Sequence, residues 1–149
     1  MKDGIEPELA RKAWLGLLAR SPATRVTGLM ADRPAFDWLR APEVGSTMVR
    51  GRAGGTGTPF NLGEITVTRC ALRLPCGTVG HAYVQGRDRN HAEAAALVDA
   101  LMQTDAAPRI RAAVLEPLEQ EAGTRRQHRA AKAAATRVEF FTMVRGEDR

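Results

Sequence analysis

Between residues 80 and 93 the chain reads GHAYVQGRDRNHAE, its densest group of side chains able to hold an anion or move a proton. Arg87, Asp88, His91 and Glu93 gather where a helix is expected to start, and a helix start offers free backbone N–H groups and a positive dipole end. A nucleotide or phosphonate phosphate would suit such a place. The same residues also have a structural reading, with Asp88 as N-cap, the charges as a capping and salt-bridge network, and His91 as a satisfied, half-buried histidine near Ala94 and Val98. A metal site is disfavoured, since His91 and Glu93, two apart on a helix, point to different faces.

The second feature is RAGGTGTPFNLGE, residues 52–64, with four glycines and a proline in one run. A Walker loop needs a lysine before Ser or Thr, and residues 51–64 contain none. A dinucleotide fingerprint needs a third glycine and a following helix, whereas Gly55 and Gly57 are followed by Phe60 and strand-like residues. Two readings remain: a flexible connection between strands, or an anion nest of backbone N–H groups with Arg50 and Arg52 beside it. For nucleophilic catalysis, Cys70 and His81 on neighbouring strands could in principle meet. No HExxH, GxSxG or paired-carboxylate pattern is present, so an autonomous hydrolase has little support.

The elements that must position these residues follow from periodicity. PELARKAWLGLLAR, residues 7–20, spaces Leu9, Ala13, Trp14, Leu17 and Leu18 as an amphipathic helix whose Trp14 stripe packs into the core. A shorter helix through Val26, Leu29 and Met30, capped by Ser21 or Thr24, stops before Pro34. From about residue 44, VGSTMVRGR, EITVTRCALRL and GTVGHAYVQ predict an antiparallel meander of three to four strands, with a tight hairpin at PCGT and His81 leaving its strand. Ala94, Leu97, Val98 and Leu101 then mark a helix packed on the sheet. After Pro108 comes a short helical piece, ended or bent near Pro117, and a long Ala-rich helix. The fold class is α+β: a small meander covered by helices, with an N-terminal helix and a long C-terminal one.

The 149 residues fit one domain, with 109–149 as a helical assembly segment within it. The two cysteines match no disulfide framework or zinc spacing and read as free thiols. The N-terminus has no stretch suited to a signal peptide and the early apolar run is too short to span a bilayer, so a cytoplasmic location is expected. The net charge of +5 is uneven, +4 over residues 40–89, −3 over 90–108 and +3 over 109–149, which suits an anionic partner. A nucleic-acid-binding module is the alternative this raises, with Arg125, Arg126 and Arg129 as its basis. No aromatic residue interleaves with that basic helix to stack on bases.

The end of the chain is adhesive. Residues 119–137 offer almost no large apolar side chain, and Val138, Phe140, Phe141, Met143 and Val144 then follow within seven positions. Leaving such side chains in water forgoes about 1.5–3 kcal/mol each. Either they fold back or another chain covers them.

The runs RAGGTGTPFNLGEITVTRC and LRLPCGTVGHAYVQGRDRNHAEAAALVDALMQ and the ending RVEFFTMVRG resemble the PhnG family of bacterial carbon–phosphorus lyase subunits, and ARKAWLGLLARS is similar too. The resemblance covers nearly the whole chain. It implies a core complex with PhnH, PhnI and PhnJ and, by two-fold symmetry, a second PhnG copy. There an alkylphosphonate displaces adenine from MgATP to give α-D-ribose 1-alkylphosphonate 5-triphosphate, with PhnI as the catalytic chain. PhnJ, an iron–sulfur protein, then cleaves the carbon–phosphorus bond. Its cluster cysteines are not in this chain, so no cofactor is expected here and MgATP is a substrate of the complex. The resemblance assigns no catalytic residue to this chain. Arg50, Arg52, Arg87, Asp88 and His91 stand as candidates for contact with an anionic substrate, and the apolar residues 138–144 as the candidate partner surface, docking on PhnI or on another copy.

Overall fold

The period-two pattern of the central segments becomes one buried face of a sheet. Thr68, Cys70 and Leu72 on one strand pair with Val84, Ala82 and Gly80 on the next, and all six are buried. The computed structural model describes residues 5–137. In chain order these form α1 (Ile5–Arg20), α2 (Ala23–Leu29), β1 (Asp37–Arg52), β2 (Pro59–Arg73), β3 (Val79–Gln85), α3 (Arg89–Leu101), α4 (Ala107–Ile110), a π turn (Arg111–Leu115) and α5 (Glu116–Ala135). The sheet is an antiparallel meander ordered β1-β2-β3, in the α+β class the sequence predicts.

Helix α3 lies across the buried face and is enclosed on nearly every side, with His91, Ala92 and all residues from Ala94 to Ala100 buried. Its alanines make this approach possible. At Gly80 the strand runs against the helix so closely that an added Cβ would overlap the Ala96 carbonyl and sit 2.8 Å from the Ala100 Cβ. Around this contact Leu18, Val26, Leu72, Leu97, Val114, Leu115 and Leu118 complete the core. The scarcity of aromatics is met by close small-residue packing.

Several local expectations are corrected. Strand β1 begins at Asp37, and the register shifts between Arg40 and Glu43, where Pro42 cannot donate to the ladder. Helix α2 starts after Pro22 with no side-chain cap; the Ser21 hydroxyl instead donates to the Leu17 carbonyl at 2.8 Å. Near Pro117, where the sequence predicts that the short helical piece ends or bends, the helix passes through a π turn in which the Glu116 N–H reaches the Arg111 carbonyl, and Pro117 has no N–H to donate into the preceding turn. His81 is within β3 and does not leave it. The PCGT hairpin forms as expected: the Gly77 N–H donates to the Leu74 carbonyl at 2.8 Å and Gly77 takes φ +91°.

One polar contact joins three elements. The Asp99 carboxylate, fully buried on α3, accepts from Arg11 Nε at 3.1 Å and Nη2 at 2.7 Å, from Trp14 Nε1 at 2.9 Å and from the His81 backbone N–H at 2.9 Å. Two donors fall on each oxygen. The ion pair ties α1 to α3, and the bond to His81 occupies an N–H on the outer edge of β3. Asn at this position has one acceptor oxygen and would face donors with donors. We expect Asp99→Asn to destabilise the fold by about 2–3 kcal/mol in denaturant titration, the cost of leaving buried donors without an acceptor where the Arg11 side chain is itself one-third exposed; a loss below about 1 kcal/mol, the range of surface pairs, would contradict the role assigned to Asp99.

Candidate functional site

The residues expected to bind an anion fall in two separate places. Arg50 and Arg52 lie near the end of a ribbon in which β1 and β2 pair only with each other, because β3 begins its pairing at Val67. The glycine-rich run is the tip of this ribbon. Ala53–Gly55 form a single helical turn, Gly54 and Gly55 take φ +60° and +82°, the Gly57 N–H donates to the Ala53 carbonyl, and Arg52 Nη1 donates to the Gly57 carbonyl. The positive φ values explain why glycine occupies these places. Part of Arg52's hydrogen-bonding capacity is thus spent on the turn itself.

Arg87, Asp88 and His91 sit at the other end, where the Gly86 N–H bonds the Thr66 carbonyl at the base of the ribbon. Arg50 pairs with Asn61, five residues along β2 from Thr66, so about 15 Å of strand separates the two groups. Asp88 is the N-cap of α3, accepting from the His91 N–H at 3.0 Å. The His91 ring is buried, with Nε2 2.9 Å from the Leu18 carbonyl oxygen; a carbonyl only accepts, so Nε2 is the donor. This bond clamps the end of α1 to the start of α3. Arg87 is exposed, and Glu93 pairs with Arg33.

Cys70 and His81 line one cleft of about 420 Å³, whose wall includes Leu15 and Leu18 of α1 and whose rim carries Arg40 and Arg69. The strand register places Cys70 opposite Ala82 and His81 opposite Ala71, so thiol and imidazole leave the sheet on opposite faces. Burial pushes the Cys70 thiol up to about 12, and at neutral pH it has no thiolate with which to attack. No group of three or more His, Cys, Asp or Glu side chains able to hold a metal ion occurs among the described residues. No described helix is long and apolar enough to cross a membrane.

Two surface features were missed or only half seen from the sequence. The ribbon carries exposed apolar side chains: Met48 is 47% exposed, Phe60 45% and Leu62 67%. Leu62 is the extra residue of a β-bulge, since Val49 pairs with Gly63 and Arg50 with Asn61. Val44 pairs with the buried Thr68 and shares a strand face with Met48, so the core face of the sheet continues onto the ribbon without helices to cover it. The outer half of α5 is similar, every residue from Thr124 onward being exposed. Asp99 and Arg11 were also not singled out; the signal was a lone acid in the run Ala94–Leu101 of an otherwise apolar helix. Val138, Phe140, Phe141, Met143 and Val144 lie outside the described residues.

The family comparison agrees with the sequence runs. A family model described as "Phosphonate metabolism protein PhnG" matches residues 9–146, and the chain belongs to that family. It is 43% identical over 141 residues, covering 93% of this chain and 90% of the other, to a Rhizobium meliloti (strain 1021) protein named alpha-D-ribose 1-methylphosphonate 5-triphosphate synthase subunit PhnG.

The two thiols should behave oppositely. Cys76 is exposed in the β2–β3 turn, and its hydrogen bond with Thr78, at 3.3 Å, lowers its pKa. We expect a thiol-specific reagent to modify Cys76 rapidly in the native chain and Cys70 only on unfolding; equal rates would contradict the buried placement. The raised pKa also fixes a sign. Below the ordinary 9.0 both folded and unfolded chains keep the Cys70 proton, whereas between 9.0 and about 12 the unfolded chain releases it first, so this contribution to stability is lost as pH rises through that window.

Proposed function

We propose that this chain is a non-autonomous subunit of the carbon–phosphorus lyase core complex, contributing by docking and not by chemistry of its own. The observation that carries the reading is the β1–β2 ribbon. From Ser46 to Arg52 it extends about 20 Å at ordinary strand rise, supported by no third strand. Two strands alone are marginal in water, and this pair exposes Met48, Phe60 and Leu62. Met48 continues the core face of the sheet, whereas Phe60, opposite Gly51, lies on the other face, so a partner that clasps the ribbon from both sides would bury all three. The exposed outer half of α5 and the apolar residues 138–144 supply a second docking segment, on PhnI or on another PhnG copy.

On this reading PhnH, PhnI and PhnJ are the partners in the cytoplasm, and the complex uses an alkylphosphonate to displace adenine from MgATP. The named relative, a subunit of a synthase whose product bears a 5-triphosphate, supports this assignment. So does the side-chain chemistry described above: Cys70 is unreactive, and one oxygen of Asp88 and Nε2 of His91 are engaged in holding α3. Their part is then to position the fold.

The test is co-expression with the three partner subunits. Met48→Ser, Phe60→Ser and Leu62→Ser together should lower co-purification and methylphosphonate-dependent adenine release by about 10-fold or more, as for loss of an interface anchor. The isolated variant should melt within a few degrees of the parent. Unchanged co-purification of the triple variant would contradict the ribbon's role.

A further inference from the structure

A second cleft, of about 310 Å³, opens between the end of α1 and the middle of α5. Its lining includes Ala13 and Ala122, which leave room, and four arginines from two elements: Arg20 on α1 and Arg125, Arg126 and Arg129 on α5. Against these stands one carboxylate, Glu119, itself 3.6 Å from Arg111. Arg125 has a carboxylate neighbour, Glu121, at 4.0 Å, but Glu121 is held more closely by Arg25 at 2.5 Å. Arg20, Arg126 and Arg129 make no ion pair among the described residues.

The position of Arg20 depends on a glycine. A Cβ on Gly16 would come 3.0 Å from Arg20 Nη1 and 3.2 Å from Nη2, so the guanidinium folds back over the bare backbone one turn earlier. The last turn of α1 also favours a cation. On α5, Arg125, Arg129 and Lys132 recur at i, i+4 and i+7, a stripe about 10 Å long. Residues 124–137 contain five cations and no acid.

We propose that this cleft binds a linear oligophosphate, such as the triphosphate chain of a nucleotide. Guanidinium groups match phosphate oxygens in bidentate geometry, and several converging on one concavity distinguish a chain of adjacent phosphates from a single one. The volume lies near the lower bound of about 300 Å³ for small-ligand sites. A folded acidic face would meet the outer side of α5 and leave the concavity unused. The inference rests on the assembly reading only for the source of the ligand, a synthase subunit working beside triphosphate esters.

The probe is inorganic tripolyphosphate, titrated calorimetrically into the full chain, and into its co-purified complex, near physiological salt. Saturable one-site binding is expected, weakened about 10-fold or more in Arg126→Ala/Arg129→Ala, the effect of losing charge-assisted hydrogen bonds. Arg73→Ala/Arg109→Ala, a charge-matched control at exposed arginines outside the cleft, should bind as the parent does. ATP matching tripolyphosphate would identify the phosphates alone as the recognised group, and ATP binding more tightly would add its nucleoside. Absence of saturable binding, or equal loss in both double variants, overturns the proposal. So does an Arg126/Arg129 variant that binds normally but no longer co-purifies, which would mark the cleft as a partner contact. A chain that assembles normally without binding tripolyphosphate loses this inference and keeps the assembly reading; one that binds but does not assemble does the reverse.

Discussion

The fold depends on a carboxylate in a place where carboxylates are costly. Asp99 is fully removed from water at the junction of α1, α3 and β3. Desolvating such a group costs several kcal/mol unless its acceptor sites are filled, and here two donors reach each oxygen. The arrangement fixes α1 near its middle through Arg11 and Trp14. His91 fixes its end through the Leu18 carbonyl. A helix held at two points cannot rotate, and both clefts described above use α1 as a wall.

Around this hub the molecule divides by how well its backbone is supported. The packed part comprises α3, the paired stretches of β2 and β3, and the root of α5 up to Leu118. Beyond it extend the ribbon and the outer half of α5, whose hydrogen bonds are local and whose side chains are exposed. Local unfolding free energies follow such differences. On the docking reading proposed for this chain, a rigid hub and two unsupported extensions would present the docking elements already displayed.

The periodic parts of this plan were legible in the sequence. Alternation in EITVTRCALRL and GTVGHAYVQ gave the central strands, the run from Ala94 to Leu101 gave α3, and Asp88 as its N-cap followed from residue type and place. The polar junction was less legible because its members lie 88 residues apart in the chain, and nothing local links Arg11 to Asp99. The glycine run was ambiguous for a related reason. Glycine permits both a phosphate-binding loop and a hairpin tip, and only strand pairing on both sides shows that this run forms a tip. Exposure of Met48 was hidden because strand alternation does not show where the covering helices stop.

Hydrogen–deuterium exchange, compared between the isolated chain and the assembled complex, tests the division into hub and extensions most directly. The account predicts slow exchange in both states for α3 and for the paired residues 67–73 and 79–85. Amides of residues 46–66 and 124–135 should exchange fast in the isolated chain and become protected on assembly. Ribbon and outer-helix amides that are already protected in isolation, and unchanged in the complex, would contradict it.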